Sequence, residues 1–404
     1  MKLISNIKKI AFCCFILSIF YGCGDRYDAI ESNNAYIKGA YLEKYAELYL
    51  ETTSDSHEII PINLTQKDDE NEIVVSVGVA TEEIEKFNEK YNRNYILYPT
   101  DMWSFDNEKV TIKKGYTGSG IGLTIRPISE ELSNTGNIYV IPVKITNADK
   151  AGVLRGSDFF FYILRRKPIT DVASTTSSQR IKFKMDHLGE KIVFNELTVE
   201  FMFNIVGKYN TANNQGLFYN NGRTEEDGGQ IFSRLEGGSG GLKAAKLEWN
   251  IGGGEYVNAS PSSGEFKIDT WYHVALVFGN KEIKVYIDGK LVASKDVGRT
   301  YITAFTAITN TPGWDGFVWD GAKNNTKFAE VRLWNVVRTQ DQVQENMYQV
   351  NPETEGLLGY WRINDGSGNI LKNQVEEGDV GHGYIHQSNG SLEWHKDENI
   401  SVGQ

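Results

Sequence analysis

The chain has 404 residues, more than one ordinary domain holds, so two or three domains are expected. With 40% hydrophobic and 12% aromatic residues it can build packed cores, which excludes a disordered chain. A net charge of −11 repels phosphate backbones and speaks against nucleic acid as a partner, whereas an uncharged polysaccharide meets no such repulsion.

Lys2, Lys8 and Lys9 precede an apolar run, Ile10 to Phe20, of the length of a secretory signal core. The run is shorter than the ~20 residues a membrane-spanning helix needs. Phe20-Tyr21-Gly22-Cys23 follows, with a small residue directly before the cysteine. This resembles a bacterial lipobox, although Phe20 and Tyr21 replace its usual Leu and small residue. The resemblance implies a signal peptide over 1–22, lipidation of Cys23 and a tether over 23–34. Buried acyl methylenes contribute ~0.8 kcal/mol each, so several chains anchor a protein stably in a membrane. Gly24-Asp25-Arg26-Tyr27-Asp28 resembles the surface-export signal of Bacteroidetes lipoproteins, which implies an outer-membrane anchor with the protein facing outward. All three cysteines lie in the first 23 residues, so the processed chain keeps only Cys23 and forms no internal disulfide.

Residues 35–165 read as a first domain. Ile73, Val75, Val77 and Val79 alternate with Val74, Ser76, Gly78 and Ala80, as in a strand with one strongly apolar face. Thr81 is placed to cap a helix with Glu82 and Glu83 in its first turn and Ile84, Phe87 and Tyr91 on one face. Short strands are expected at 109–112, 121–126, 138–146 and 159–164, which gives a β-sandwich with one helix. The succession Phe87-Asn88-Glu89-Lys90-Tyr91-Asn92, Tyr98-Pro99, Val110-Thr111-Ile112-Lys113-Lys114-Gly115 and Tyr139-Val140-Ile141-Pro142-Val143 resembles an N-terminal domain of Bacteroidetes surface lipoproteins, found also before some endoglycosidases. The resemblance implies an Ig-like spacer without chemistry of its own.

Residues 166–180 begin with basic side chains and run into Ser and Thr, and read as a linker. From 181 to 404 the chain is strand after strand. Val199, Phe201, Phe203 and Ile205 share one face. Asp288-Gly289 between two apolar runs predicts a type I′ hairpin. Thr339 and Gln342 have capping-box spacing before a short helix. Trp271-Tyr272-His273-Val274-Ala275, Val285-Tyr286-Ile287-Asp288-Gly289-Lys290, Glu330-Val331-Arg332-Leu333-Trp334-Asn335 and Gly359-Tyr360-Trp361 occur in that order. They resemble the laminin-G and concanavalin-A-like lectin/glucanase superfamily. That implies a jelly-roll of two antiparallel sheets, often glycan-binding through a concave face or edge loops and sometimes calcium-dependent. The fold class expected for the whole chain is therefore all-β.

Enzyme chemistry leaves little trace. A glucanase on this fold needs paired carboxylates, carried in the family as Glu-x-Asp-x-x-Glu, and no such string occurs. Glu225-Glu226-Asp227 sits among Gly and Asn, as a solvated loop does. His382 and His386 have helical ligand spacing, but Gly378, Gly381 and Gly383 oppose a helix there. Asp315, Asp320, Asn324 and Asn325 suit a hard cation such as calcium, with no ligand set assigned. The candidate binding residues are Trp314, Asp315, Trp319 and Asp320 in a turn-rich segment, and Trp249 and Tyr256 beside Gly252-Gly253-Gly254. Aromatic faces stack on sugar rings, and carboxylates accept from hydroxyls. The reading is a surface lipoprotein that binds a polysaccharide or host glycan beside glycan-uptake proteins of the outer membrane, with no cofactor required. A hydrolase or lyase with a non-standard acid pair and a protein-binding adhesion module are the alternatives, since fold does not choose among them.

Overall fold

The computed structural model describes residues 32–166, 168–176, 179–209, 215–220, 231–236, 242–252, 254–306, 316–321, 324–386 and 390–402. These are almost wholly strands and turns, and they divide into two compact units. One comprises residues up to Leu48 with 55–126 and 139–164; the other comprises 49–54, 127–138 and everything from Arg165. No helix among the described residues is long and apolar enough to cross a membrane.

The first unit is a β-sandwich. Its five-stranded sheet runs Gly152–Val153, Asn34–Ile37, Ser56–Leu64, Gly118–Ile125, Trp103–Phe105. Its second sheet runs Tyr45–Leu50, Phe159–Arg166, Tyr139–Ala148, Ile73–Val79, Lys109–Ile112, with Ile96–Leu97 paired to Tyr139–Ala148. Alternation decides which face is buried: Ile73 and Val75 are inaccessible while Val79 is exposed at the strand end. The helix Glu82–Tyr91 forms as expected and buries Phe87, whose ring lies 4.7 Å from Phe161. Thr81 does not cap it through its side chain, because its own backbone is already helical.

The second unit is a larger sandwich of two antiparallel sheets. The first sheet runs Lys290–Asp296, Glu282–Ile287, Tyr272–Gly279, Leu197–Ile205, Thr326–Trp334, Ile169–Thr175, Glu393–Asn399, and Leu357–Trp361 also pairs with Thr326–Trp334. The second, eight-stranded, runs Tyr256–Ala259, Lys246–Asn250, Ile231–Glu236, Gln215–Asn220, Phe317–Trp319, Arg180–Phe183, Gly383–His386, Ile370–Leu371. Val199, Phe201, Phe203 and Ile205 meet Trp319, Trp249, Phe183 and Trp361 in one core between the sheets. Leu197–Ile205 is buried along its whole length, so both faces of the first sheet are covered. The helix Gln340–Glu345, started by the predicted Thr339–Gln342 capping box, contributes the buried Val343 to a cluster with Ala275, Val277 and Tyr286 on that sheet's outer face. The predicted hairpin is present, with Asp288 at φ 53° and Gly289 at φ 73°.

The expected linker over 166–180 is replaced by structure. Ile169–Thr175 pairs with Thr326–Phe328 on one side and Glu393–Asn399 on the other, and Val172 and Ala173 are fully buried. Its Thr and Ser are strand residues here, held by ladder hydrogen bonds to two partners distant in sequence.

Candidate functional site

Strands of the eight-stranded sheet send alternate residues to the core and outward. Ile231 and Leu235 enter the core, which turns Phe232, Arg234 and Glu236 outward. Leu247 and Trp249 enter it from the next strand, which leaves Glu248 and Asn250 on the outer side. Val257 and Ala259 do the same for the edge strand, turning Tyr256 and Asn258 outward. The register places Phe232 opposite Asn250, Arg234 opposite Glu248, Glu248 opposite Asn258 and Asn250 opposite Tyr256. Three short strands thus present an ordered polar and aromatic strip.

Arg234 is its centre. Its Nε is 2.6 Å from Glu236 Oε1 and its Nη2 is 2.7 Å from Glu248 Oε1, so two carboxylates flank the guanidinium and balance its charge. The guanidinium also lies 5.6 Å from the Phe232 ring centroid, within cation–π range. Phe232 stands 5.7 Å from Tyr219 on the neighbouring strand. Tyr219 is fully buried, and burial, then the nearby Asp320 carboxylate, pushes its hydroxyl well above the usual tyrosine value. Asp320 accepts from Arg180 Nε at 3.0 Å. His386 sits opposite Arg180 in the next strand; burial, then the charges of Lys182 and Arg180, lowers its pKa.

The predicted residues fall unequally on this frame. Trp314, Asp315 and Cys23 lie outside the described residues. Trp319 is not a surface platform: its strand sends it inward, onto Phe328 at 4.9 Å and 18°, with its indole N–H donated to Thr175 Oγ1 at 3.2 Å. Trp249 is likewise core, 5.9 Å from Phe201. Both are completely buried and unavailable for stacking on a sugar. Asp320 is only 3% exposed and engages Arg180. Tyr256, by contrast, is 46% exposed, with Lys295 Nζ 5.1 Å from its ring. Among the described residues no three His, Cys, Asp or Glu side chains are grouped to hold a metal ion. Phe232, Arg234 and Glu248 went unremarked in the sequence. Their signal was the alternation of Ile231-Phe232-Ser233-Arg234-Leu235-Glu236, a pattern that assigns opposite faces but not which one is outer.

Comparison with known proteins agrees with this architecture. Residues 175–344 match the family model of the concanavalin A-like lectin/glucanases superfamily, and residues 31–152 match a family model of an N-terminal domain. A candidate carbohydrate-binding protein from Bacteroides ovatus superposes with a TM-score of 0.54 at 22% identity, over 92% of this chain and 100% of that one. EndoBT-3987 of Bacteroides thetaiotaomicron, solved with its Man5GlcNAc product, aligns over 33% of this chain and 30% of its own at 18% identity, with a TM-score of 0.27. A two-domain protein of unknown function from Bacteroides fragilis aligns over 76% and 99% at 12% identity, with a TM-score of 0.32. No curated protein matches the chain. The protein is thus an all-β, two-domain chain. Its second unit carries the concanavalin A-like lectin/glucanase fold.

Proposed function

We propose that the second unit binds carbohydrate along the outward strip of its eight-stranded sheet. The observation that carries this is Arg234, flanked by Glu236 and Glu248 beside the half-buried Phe232 ring. The guanidinium donates to sugar oxygens. Glu248, Asn250 and Asn258 add acceptors and amide donors, and Phe232 and Tyr256 offer ring faces for the apolar side of a pyranose. The shared fold with the candidate carbohydrate-binding protein of Bacteroides ovatus supports the reading.

In the fuller proposal the protein is a lipoprotein attached through Cys23 to the outer membrane and facing outward. The first unit spaces the binding unit from the membrane, beside proteins of glycan uptake. Calcium is an optional addition to such a site. A glycan array probed with the full chain, with and without calcium, tests the binding. Selective retention of a polysaccharide or host glycan is expected, and a flat array overturns the reading.

A further inference from the structure

A second concavity lies elsewhere on the same unit, where the hairpin Glu282–Asp296 meets the segment before Trp271. It encloses about 290 Å³ and is lined by Pro261, Ser262, Lys267, Tyr272, Asp288 and Lys290, among others. That is near the lower end of ligand pockets, ~300–1,000 Å³, and suits one small molecule. Pro261, Tyr272 and Ile287 are buried and form an apolar floor.

The polar groups are mixed and positioned by the backbone. Asp288 occupies the first central position of the hairpin turn, and its Oδ1 accepts from the His273 amide at 2.9 Å. The Tyr272 hydroxyl accepts from the Lys267 amide at 2.8 Å, which ties the lysine-bearing loop to the floor. Lys267 and Lys290 stand exposed at the mouth on two different segments. Burial raises the Asp288 carboxyl to about 6, against the lowering effects of its backbone bond and Lys290, so it is mostly ionised near neutral pH.

An anionic acceptor, hydroxyls and ammonium donors around a small apolar floor match a polyol with one apolar face. Asp288 offsets one of the two lysine charges, and both lysines are exposed and screened by solvent, so hydrogen-bonding capacity more than net charge selects the ligand. We propose that this pocket binds a single neutral sugar ring, with Asp288 accepting from ring hydroxyls and Lys267 and Lys290 donating to ring oxygens. This rests on the reading of the unit as carbohydrate-binding but names a site separate from the Arg234 strip.

Saturation-transfer NMR on the full chain tests it with methyl glycosides of glucose, galactose and mannose, and with glucuronate. Asp288→Asn is the informative variant. Asn accepts the same backbone bond and tolerates the positive φ, so the turn survives while the charge is lost. At least one neutral glycoside should receive saturation, with Asp288→Asn weakening it about tenfold, because charge-assisted bonds are roughly twice as strong as neutral ones. Lys109→Ala, an exposed residue of the first unit that belongs to neither site, should leave that affinity within about twofold. No effect of Asp288→Asn, transfer to glucuronate alone, or no transfer to any glycoside overturns the pocket. Failure of the strip reads differently: Arg234→Ala then leaves array binding of the longer glycan intact while the monosaccharide result stands.

Discussion

Glu200 and Arg332 stand directly opposite each other on adjacent strands and join at 2.9 Å with neither side chain reaching solvent. Arg332 does more than neutralise Glu200. It donates to the carbonyls of Asn346 at 2.7 Å and Met347 at 3.2 Å, just after the helix Gln340–Glu345, and to Glu330. Glu330 accepts from the Tyr360 hydroxyl at 2.7 Å. One guanidinium therefore joins the sheet to the segment covering its outer face. Removing one partner strands a buried charge, which costs ~3–5 kcal/mol. Arg332→Met is expected to lower the urea midpoint by a corresponding amount. Glu200→Gln with Arg332→Met should cost less than the two single changes added, because the double variant leaves no orphan between them. A double-mutant cycle by urea denaturation reads both; additive losses would refute the coupling.

The same cluster sets the response to acid. Burial alone would raise the Glu200 carboxyl, but Arg338, the His273 contact and Arg332 outweigh it and hold the group at about 2. A carboxyl depressed in the fold contributes stability that is complete above its unfolded pKa, ~4.3 for Glu, and is lost as pH falls toward the folded value. His273 acts in the same direction. Burial lowers its pKa, so below its unfolded value, ~6.5, the unfolded chain takes up a proton that the fold resists. Stability measured by urea denaturation should therefore decline from about pH 6.5 and fall more steeply below about 4.3. Glu200→Gln should flatten the lower part of that curve. An unchanged slope would show that Glu200 is not held down by its partners.

Much of this fold could be read in the chain, and the failures have physical reasons. Local signals survived: the alternation of Ile73 to Val77, the Thr339–Gln342 cap and the Asp288-Gly289 turn all formed as their residue types dictate. What local signals could not supply was the partner of each strand. Ile169–Thr175 looked like a linker because its Ser and Thr are polar, yet pairing with Thr326–Phe328 and Glu393–Asn399 buries it. Trp249 and Trp319 looked like ligand platforms because Gly, Asn and Asp surround them. Each lies on a short strand whose register with its neighbours decides the face, and both face the core. The strip around Arg234 was missed for the same reason, since nothing in one strand marks the outer side.

Attachment at Cys23 is tested without any ligand. If the cysteine carries acyl chains, the protein should sediment with outer membranes, and Cys23→Ser should shift it to the soluble fraction. Two or more chains are needed for stable attachment, because a single myristoyl chain binds membranes only marginally. Fractionation with labelled palmitate reads both location and label. Label retained by the Cys23→Ser variant would place the lipid elsewhere.

The sharpest contrast lies between Arg234 and Trp319, which share one sheet and face opposite ways. Arg234 is partly exposed and its ion pairs are of the kind that contribute only ~0–1 kcal/mol. Arg234→Ala should therefore leave the melting temperature nearly unchanged while lowering glycan affinity about tenfold or more, equivalent to ~1.4 kcal/mol of lost hydrogen bonding. Trp319→Phe should behave in reverse. Phe keeps the stack on Phe328 but leaves Thr175 without its indole donor and opens space in the core. A cost of ~1–3 kcal/mol in stability is expected from the unpaired group, with affinity within about twofold of the parent. Thermal melts and isothermal titration on the two variants separate the roles. If Trp319→Phe weakens binding without loss of stability, the ligand reaches the core face and the assignment of the outer strip fails.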